Sequence, residues 1–266
     1  MTADPRVVIV TGAGGAGCGR SISARFAARG AAVVVCDIDE AGARETARAI
    51  EADGGRAAVC IADVRDDSSV RELVSFAERT FGGVQVLVNN ASATHDAGEA
   101  IEGWAHALET DLLGSMRCTR WALDAMRRAG GGAIVNIPSI SGLWHGRTTP
   151  GGFAGYDVAK AGMIRMTTRL AALAGTDNIR VNCLAPGWIA TGGALAYWRS
   201  LTAAEREARG VPSRLIPPGD IAATVERLAT DRSLAGRIVV WWSEDEPRLV
   251  EWGDRGYRRV EPFALT

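Results

Sequence analysis

Short, nearly unbroken apolar runs recur along this chain, and each gives way to a stretch of helical periodicity. The runs fall at residues 7–10, 32–36, 57–61, 84–88, 133–137, 179–183 and 237–241, rich in Val, Ile, Ala and Cys. Amphipathic stretches lie between them near 20–29, 40–52, 67–80, 99–129, 155–174 and 219–230. Apolar runs without alternation are strands buried on both faces, and helical crossovers between them make the sheet parallel. The pattern predicts an α/β fold: a doubly wound parallel sheet of about seven strands, with helices on both faces. No second core unit, repeat or Pro/Ser-rich linker interrupts it, so residues 1–266 are read as one domain. Two segments fall outside the alternation. Residues 190–216 read as a helical flap over a substrate, and residues 243–266 as a charged, Trp-containing tail.

Composition narrows the function classes. The chain is 47% hydrophobic and 23% charged, with a formal net charge of -1. That balance fits a soluble globular protein and provides no overall field for nucleic acid or an anionic membrane. No apolar run approaches the roughly 18 residues of a membrane span, and residues 1–6 lack the apolar stretch of a signal peptide. The five cysteines, Cys18, Cys36, Cys60, Cys118 and Cys183, are scattered without CxxC spacing. They read as small buried residues of a reducing compartment, which points to the cytoplasm. His95, His106 and His145 have no metal-ligand spacing, so no metal site is expected.

Among 30 basic residues one is lysine: Lys160, four positions after Tyr156. Elsewhere the chain meets its need for positive charge with Arg. Lysine offers a compact ammonium with a tunable pKa, whereas the Arg fork never deprotonates. Four residues is one helical turn, so phenol and ammonium share a face. A cation beside a phenol favours phenolate and brings its pKa from about 10 toward neutrality, making it a usable general acid or base.

The first strand runs into Thr11-Gly12-Ala13-Gly14-Gly15-Ala16-Gly17-Cys18-Gly19, and a helix follows. Glycines let the backbone approach a pyrophosphate, and the helix start supplies free N–H groups and a positive dipole end. The second strand ends at Asp37, whose carboxylate can accept both hydroxyls of an adenosine ribose and would repel a 2'-phosphate. No basic residue lies close by, which favours NAD over NADP. A helix cap is the competing role for Asp37. Asp63, after the third strand, has two readings of equal weight: the adenine edge of the site, or the opening of the next loop.

Together these residues resemble the short-chain dehydrogenase/reductase family over roughly residues 6–240. The glycine loop is similar to TGxxxGxG, with four rather than three residues between Gly12 and Gly17. Asn89-Asn90-Ala91-Ser92 is similar to NNAG, with Ser92 in place of Gly. Asn136-Ile137-Pro138-Ser139 resembles the segment with the catalytic serine, Tyr156 and Lys160 the YxxxK pair, and residues 186–191 the PG segment ending in Thr191. The resemblance implies a Rossmann-like fold and a homo-oligomer, dimer or tetramer. It implies a nicotinamide site built from Gly12, Gly15, Gly17, Cys18, Gly19, Asp37, Ile38, Asp63, Val64, Asn90, Ala91, Tyr156, Lys160, Pro186, Gly187, Ile189 and Thr191. Its catalytic residues would be Ser139, Tyr156 and Lys160, with Asp111 where the family has an Asn that holds a water against the lysine. An ionised Asp111 would keep Lys160 cationic and partly offset its pull on Tyr156.

The implied activity is NAD-dependent interconversion of a secondary alcohol and a ketone, with Tyr156 as general acid/base. The substrate-side candidates are Ser141, Trp144, Trp188 and Trp198. Indoles on those segments favour an apolar or ring-bearing small molecule, although eight tryptophans in the chain leave ordinary core packing open. Two other readings remain. A nucleotide-binding sensor of the same fold would tolerate the altered loop and Asp111. A methyltransferase with a related adenosine site would leave the Tyr156–Lys160 pair without a purpose.

Overall fold

A computed structural model describes residues 6–93, 100–143 and 152–253. Seven parallel strands and one antiparallel edge strand form a single sheet in the order β3-β2-β1-β4-β5-β6-β7-β8. The strands are β1 (Val7–Thr11), β2 (Ala32–Asp37), β3 (Arg56–Ile61), β4 (Val86–Asn89), β5 (Gly132–Asn136), β6 (Ile179–Pro186), β7 (Ile238–Trp241) and β8 (Arg248–Leu249). After β3 the chain crosses back to pair β4 with the free side of β1. That reversal opens a crevice at the carboxyl ends of the strands, where open α/β sheets bind ligands.

Both faces of the sheet are covered. Val8, Val10, Val33 and Val35 face α1 (Cys18–Ala28), α2 (Glu40–Ala52) and α10 (Pro218–Thr230), where Ile22, Phe26, Ile50, Ile221 and Val225 complete a buried cluster. Val7, Ile9, Val34 and Cys36 face the opposite way, against Val70, Leu73 and Val74 of α3 (Asp67–Phe81) and Cys118, Ala122 and Met126 of α5 (Ser115–Arg128). Two-sided burial is why the strands carry no polar alternation. All five cysteines are buried free thiols. Among the described residues no helix is long and apolar enough to cross a membrane.

The structure departs from the sequence pattern in three places. The stretch near 99–129 is two helices, α4 (Ile101–Ala107) and α5, joined by a π-helical turn over Leu108–Gly114. The helix predicted at 155–174 ends earlier, as α6 (Ala154–Arg169), followed by the single turn α7 (Leu173–Thr176). The tail contributes an eighth strand: Leu249 and Arg248 pair with Val239 and Val240, and the Arg237 guanidinium lies 5.9 Å from the Trp252 ring. Covering the edge of β7 in this way hides its unpaired backbone groups. The segment read as a flap contains α8 (Gly192–Ser200) and α9 (Ala203–Ala208), the latter started by a Thr202–Glu205 capping box.

Candidate active site

The site is built from the loops that leave β1, β2, β3, β4, β5 and β6. After β1 the glycine loop turns sharply into α1. A Cβ on Gly19 would lie 2.2 Å from the Gly12 carbonyl oxygen, so only glycine lets the helix start so close to the loop. Gly15 differs: a Cβ there would meet nothing within 4 Å. The protein's own packing does not require Gly15, and the space beside it belongs to a cavity of about 530 Å³. The first turn of α1 carries no acidic residue, and its N-cap, Gly17, makes no side-chain capping bond. A loop bare of side chains, leading to an uncapped helix start, matches what a pyrophosphate needs.

Asp37 braces the glycine loop. The Gly14 N–H donates to Asp37 Oδ2 at 2.7 Å, and Asp37 Oδ1 accepts from the Asp39 N–H at 3.0 Å. Asp39, not Asp37, caps α2, accepting from the Ala41 N–H. Asp37 and the two-thirds-exposed Ile38 line the same cavity, together with Gly12, Asp63, Val64 and Ala91. Asp63 is gripped by Arg65 through both carboxylate oxygens, which holds its carboxyl below the usual range. Asn90 also borders the cavity, but its amide donates to the Thr11 and Gly12 carbonyls at 2.9 Å each and so braces the loop. Cys18 is a buried thiol pushed up to about 11 by loss of hydration.

The β6 end closes the other side. The Gly187 N–H donates to the Trp241 carbonyl, continuing the pairing of Pro186 with Trp241. Ile189 bridges to Ile216, and a Cβ on Gly17 would lie 3.5 Å from the Thr191 methyl, bringing this segment up to the glycine loop.

At the centre, Tyr156 and Lys160 lie one turn apart on α6, with Lys160 Nζ 5.0 Å from the phenol ring centroid. The tyrosine is half-buried in an apolar group with Ala93, Ala107, Phe153 and Trp104. Lys160 is buried; its ammonium donates to the Ile137 carbonyl at 3.3 Å and meets Asp111 Oδ2 at 3.0 Å. At 3.0 Å, Asp111 and Lys160 are in direct contact. Burial alone would depress the ammonium's pKa, but the Asp111 carboxylate and the Tyr156 phenol outweigh it, and the net shift is upward. Asp111 lies on the buried side of the π-helical turn between α4 and α5.

Ser139 begins a 3-10 turn after β5, and its Oγ accepts from the Ser141 N–H at 3.2 Å. A Cβ on Gly142 would lie 2.5 Å from the Ala161 nitrogen, so this serine turn rests directly on the backbone of α6 beside Lys160. The Ser141 hydroxyl is buried with no hydrogen-bond partner among the described residues. Trp188 lines a second cavity, of about 610 Å³, with Ile140, Val211, Arg206 and Trp242. Trp198 does not line it: its indole N–H donates to the Pro212 carbonyl, and Arg206 stacks on its ring at 4.1 Å, so it props the flap. Trp144 falls outside the described residues.

Residue periodicity did not single out a buried polar relay behind the site. Asn89 donates to Asn136 at 2.8 Å and to Thr119 at 3.1 Å, and Asn136 donates to Thr167 at 2.9 Å. Asparagine within otherwise apolar strands was the available signal. The relay ties β4 and β5 to α5 and α6. The Ser243 hydroxyl likewise accepts from the Trp188 N–H at 2.7 Å, tying the segment after β7 to the one after β6.

This sheet order, glycine turn and Tyr–Lys pair define a dinucleotide-type α/β oxidoreductase site. The profile described as short chain dehydrogenase matches residues 6–200. The chain is 38% identical to cis-4-hydroxycyclohexanecarboxylate dehydrogenase of Sinomonas cyclohexanicum, over 85% of this chain and 90% of that protein. It is 37% identical to 3beta-hydroxysteroid dehydrogenase 1 of Eggerthella lenta, over 86% and 88%. A crystal structure from Burkholderia xenovorans described as a short-chain dehydrogenase/reductase superposes with a TM-score of 0.78 at 34% identity, covering 90% of this chain and 95% of the other. The chain belongs to the short-chain dehydrogenase/reductase family and is an oxidoreductase acting on hydroxyl groups.

Two outcomes follow from this geometry. Gly19→Ala lowers thermal stability by about 1–3 kcal/mol because its methyl has nowhere to go, whereas Gly15→Ala leaves the melting temperature unchanged. Calorimetry of both variants checks this. The second concerns pH. The folded pKa of Lys160 lies above the ordinary 10.5, so the stability linked to it is intact below that value and is lost as pH rises through the folded value. Urea unfolding at stepped alkaline pH reads this as a loss that adds, above about pH 10, to the fall that the buried cysteines begin near pH 9.

Proposed function

We propose that this protein is an NAD(H)-dependent dehydrogenase interconverting an alicyclic secondary alcohol and its ketone. The observation that carries the reading is the buried Lys160 ammonium held 5.0 Å from the ring of the half-buried Tyr156, beside a glycine cradle. When bound, the nicotinamide accepts or supplies the hydride. Gly15, Gly17 and the start of α1 take its pyrophosphate. Asp37 takes the adenosine ribose hydroxyls with the lone pairs left over from Gly14 and Asp39, and would repel a 2'-phosphate. Ile38 and Val64 flank the adenine, with Asp63 at its edge, and Thr191 and Ile189 bound the nicotinamide end.

In oxidation, Tyr156 takes the hydroxyl proton as hydride leaves the carbinol carbon; in reduction it returns that proton to the forming alkoxide. Ser139 donates a hydrogen bond to the same oxygen and holds it in line. The 610 Å³ cavity between Trp188 and Trp242 takes an apolar ring. Two relatives bear the names of dehydrogenases for a hydroxycyclohexane and a hydroxysteroid, both ring alcohols. Residues 190–216 close over the bound pair. We expect one catalytic domain, working in a reducing cytoplasm as a dimer or tetramer; the exposed Met116 on α5 and Val158 on α6 suit such an interface.

NADH and NADPH titrations followed by fluorescence, with a panel of cyclic alcohols, test the reading. The parent protein binds NADH in preference to NADPH and turns over a ring alcohol. Tyr156→Phe keeps NADH affinity and loses about 10²–10⁴-fold in kcat. Asp37→Ala weakens NADH about tenfold or more and erases the preference. NADH binding without turnover of any alcohol or ketone would make the chain a nucleotide sensor, and failure to bind either nucleotide would end the proposal.

A further inference from the structure

Two departures from the family pattern, Ser92 for Gly and Asp111 for Asn, are in contact. Ser92 Oγ donates to Asp111 Oδ2 at 2.7 Å, the Ala93 N–H donates to Oδ1 at 2.7 Å, and Lys160 Nζ meets Oδ2 at 3.0 Å. Both Asp111 and Lys160 are buried. Donors therefore approach both ends of one carboxyl group. An asparagine in this place would turn its NH2 either on the lysine ammonium or on the Ala93 N–H, donor against donor. Only a carboxylate anion satisfies both ends, so the lysine carries its charge opposite a full countercharge.

We propose that Ser92 and Asp111 act as a matched positioning pair that holds Lys160 in a charge-neutral couple and so limits how strongly its charge acts on Tyr156. This rests on the reading of Tyr156 as the general acid/base. Ser92 fixes the carboxylate so that Oδ2 faces the ammonium; Asp111 cancels most of the field that an unpaired lysine would exert on the phenol.

Of the other ionisable groups on α6 and the elements packed against it, Arg165 and Arg169 are exposed near the far end of α6, and Arg180 of β6 donates to the Leu228 and Asp231 carbonyls. Glu109 is paired with Arg117 at 3.1 Å, His106 lies 3.4 Å from Arg65, and Glu102 is exposed. The Cys183 thiol keeps its proton, pushed up by burial to about 12. Asp157 is the remaining acid, on α6 itself next to Tyr156. Asp111 is the carboxylate in contact with Lys160.

The chain has three tyrosines, Tyr156, Tyr197 and Tyr257, so ultraviolet tyrosinate titration against the Tyr156→Phe variant isolates the Tyr156 phenol without any substrate. In Asp111→Asn the Tyr156 midpoint moves down by about one pH unit or more, because the lysine charge is no longer cancelled. The kcat of NAD-linked cyclohexanol oxidation gains at neutral pH, with the acid limb of its profile displaced by the same amount. Ser92→Gly lowers the melting temperature. Asp111→Asn is less destabilising in the Ser92→Gly background than alone, since the vacated space lets the amide turn. That double variant also supplies the titration if the single Asp111→Asn does not fold. An unchanged Tyr156 midpoint in both Asp111→Asn backgrounds, or additive effects of the two substitutions on stability, overturns the proposal. Turnover that survives in Tyr156→Phe would instead overturn the acid/base reading on which it rests, while the substrate-free titration still reports on the couple.

Discussion

A lysine ammonium buried between a helix and the end of a strand must find a carboxylate, and much of the site is arranged around that demand. Lys160 is 2% exposed and Asp111 is fully buried. Isolated, either charge would cost several kcal/mol to bury. Their contact requires α6 to lie against the π-helical turn, where Asp111 continues the buried face of Ala107, Ser115 and Cys118. The loop after β4 is pinned by the same carboxylate through Ser92 and Ala93, and the strand-end carbonyl of Ile137 takes another ammonium proton. One ion pair thus joins β4, β5, the π turn and α6 at the mouth of the crevice.

The sheet provides the second constraint. Because the strand order reverses between β1 and β4, the loops after β1, β2, β3 and β4 converge on one cavity, while residues after β5, β6 and β7 line the next. The buried asparagines Asn89 and Asn136 bind the two halves across neighbouring strands. Asn90 fastens the glycine loop to the end of β4. These polar groups sit inside a hydrophobic sheet, where each has to be satisfied, so they fix registry at the strand ends where chemistry needs it.

Much of this was legible in the sequence. Buried parallel strands have a plain signature, and the glycine loop, Asp37 and the Tyr156–Lys160 spacing each carry their own physical reason. What escaped was set by tertiary geometry. A π-helical turn leaves no mark on apolar periodicity, so Asp111 could be named but its direct contact with Lys160 could not. Strand β8 is two residues of charged tail whose pairing depends on an open edge at β7. Trp198 and Trp188 are alike in composition; only the structure separates the flap prop from the cavity wall. Ser92 passed as a minor variation on a motif until its hydroxyl was found against the buried carboxylate.

The central claim is hydride transfer between a ring alcohol and a nicotinamide, and isotope transfer tests it most directly. Cyclohexanol deuterated at its carbinol carbon, incubated with NAD and the protein, should yield NADH carrying one deuterium at the nicotinamide C4 on a single face, read by mass spectrometry and proton resonance. The same result is expected with a deuterated 4-hydroxycyclohexanecarboxylate. Reduced cofactor without label, or no reduced cofactor from any ring alcohol offered at alkaline pH, would contradict the account.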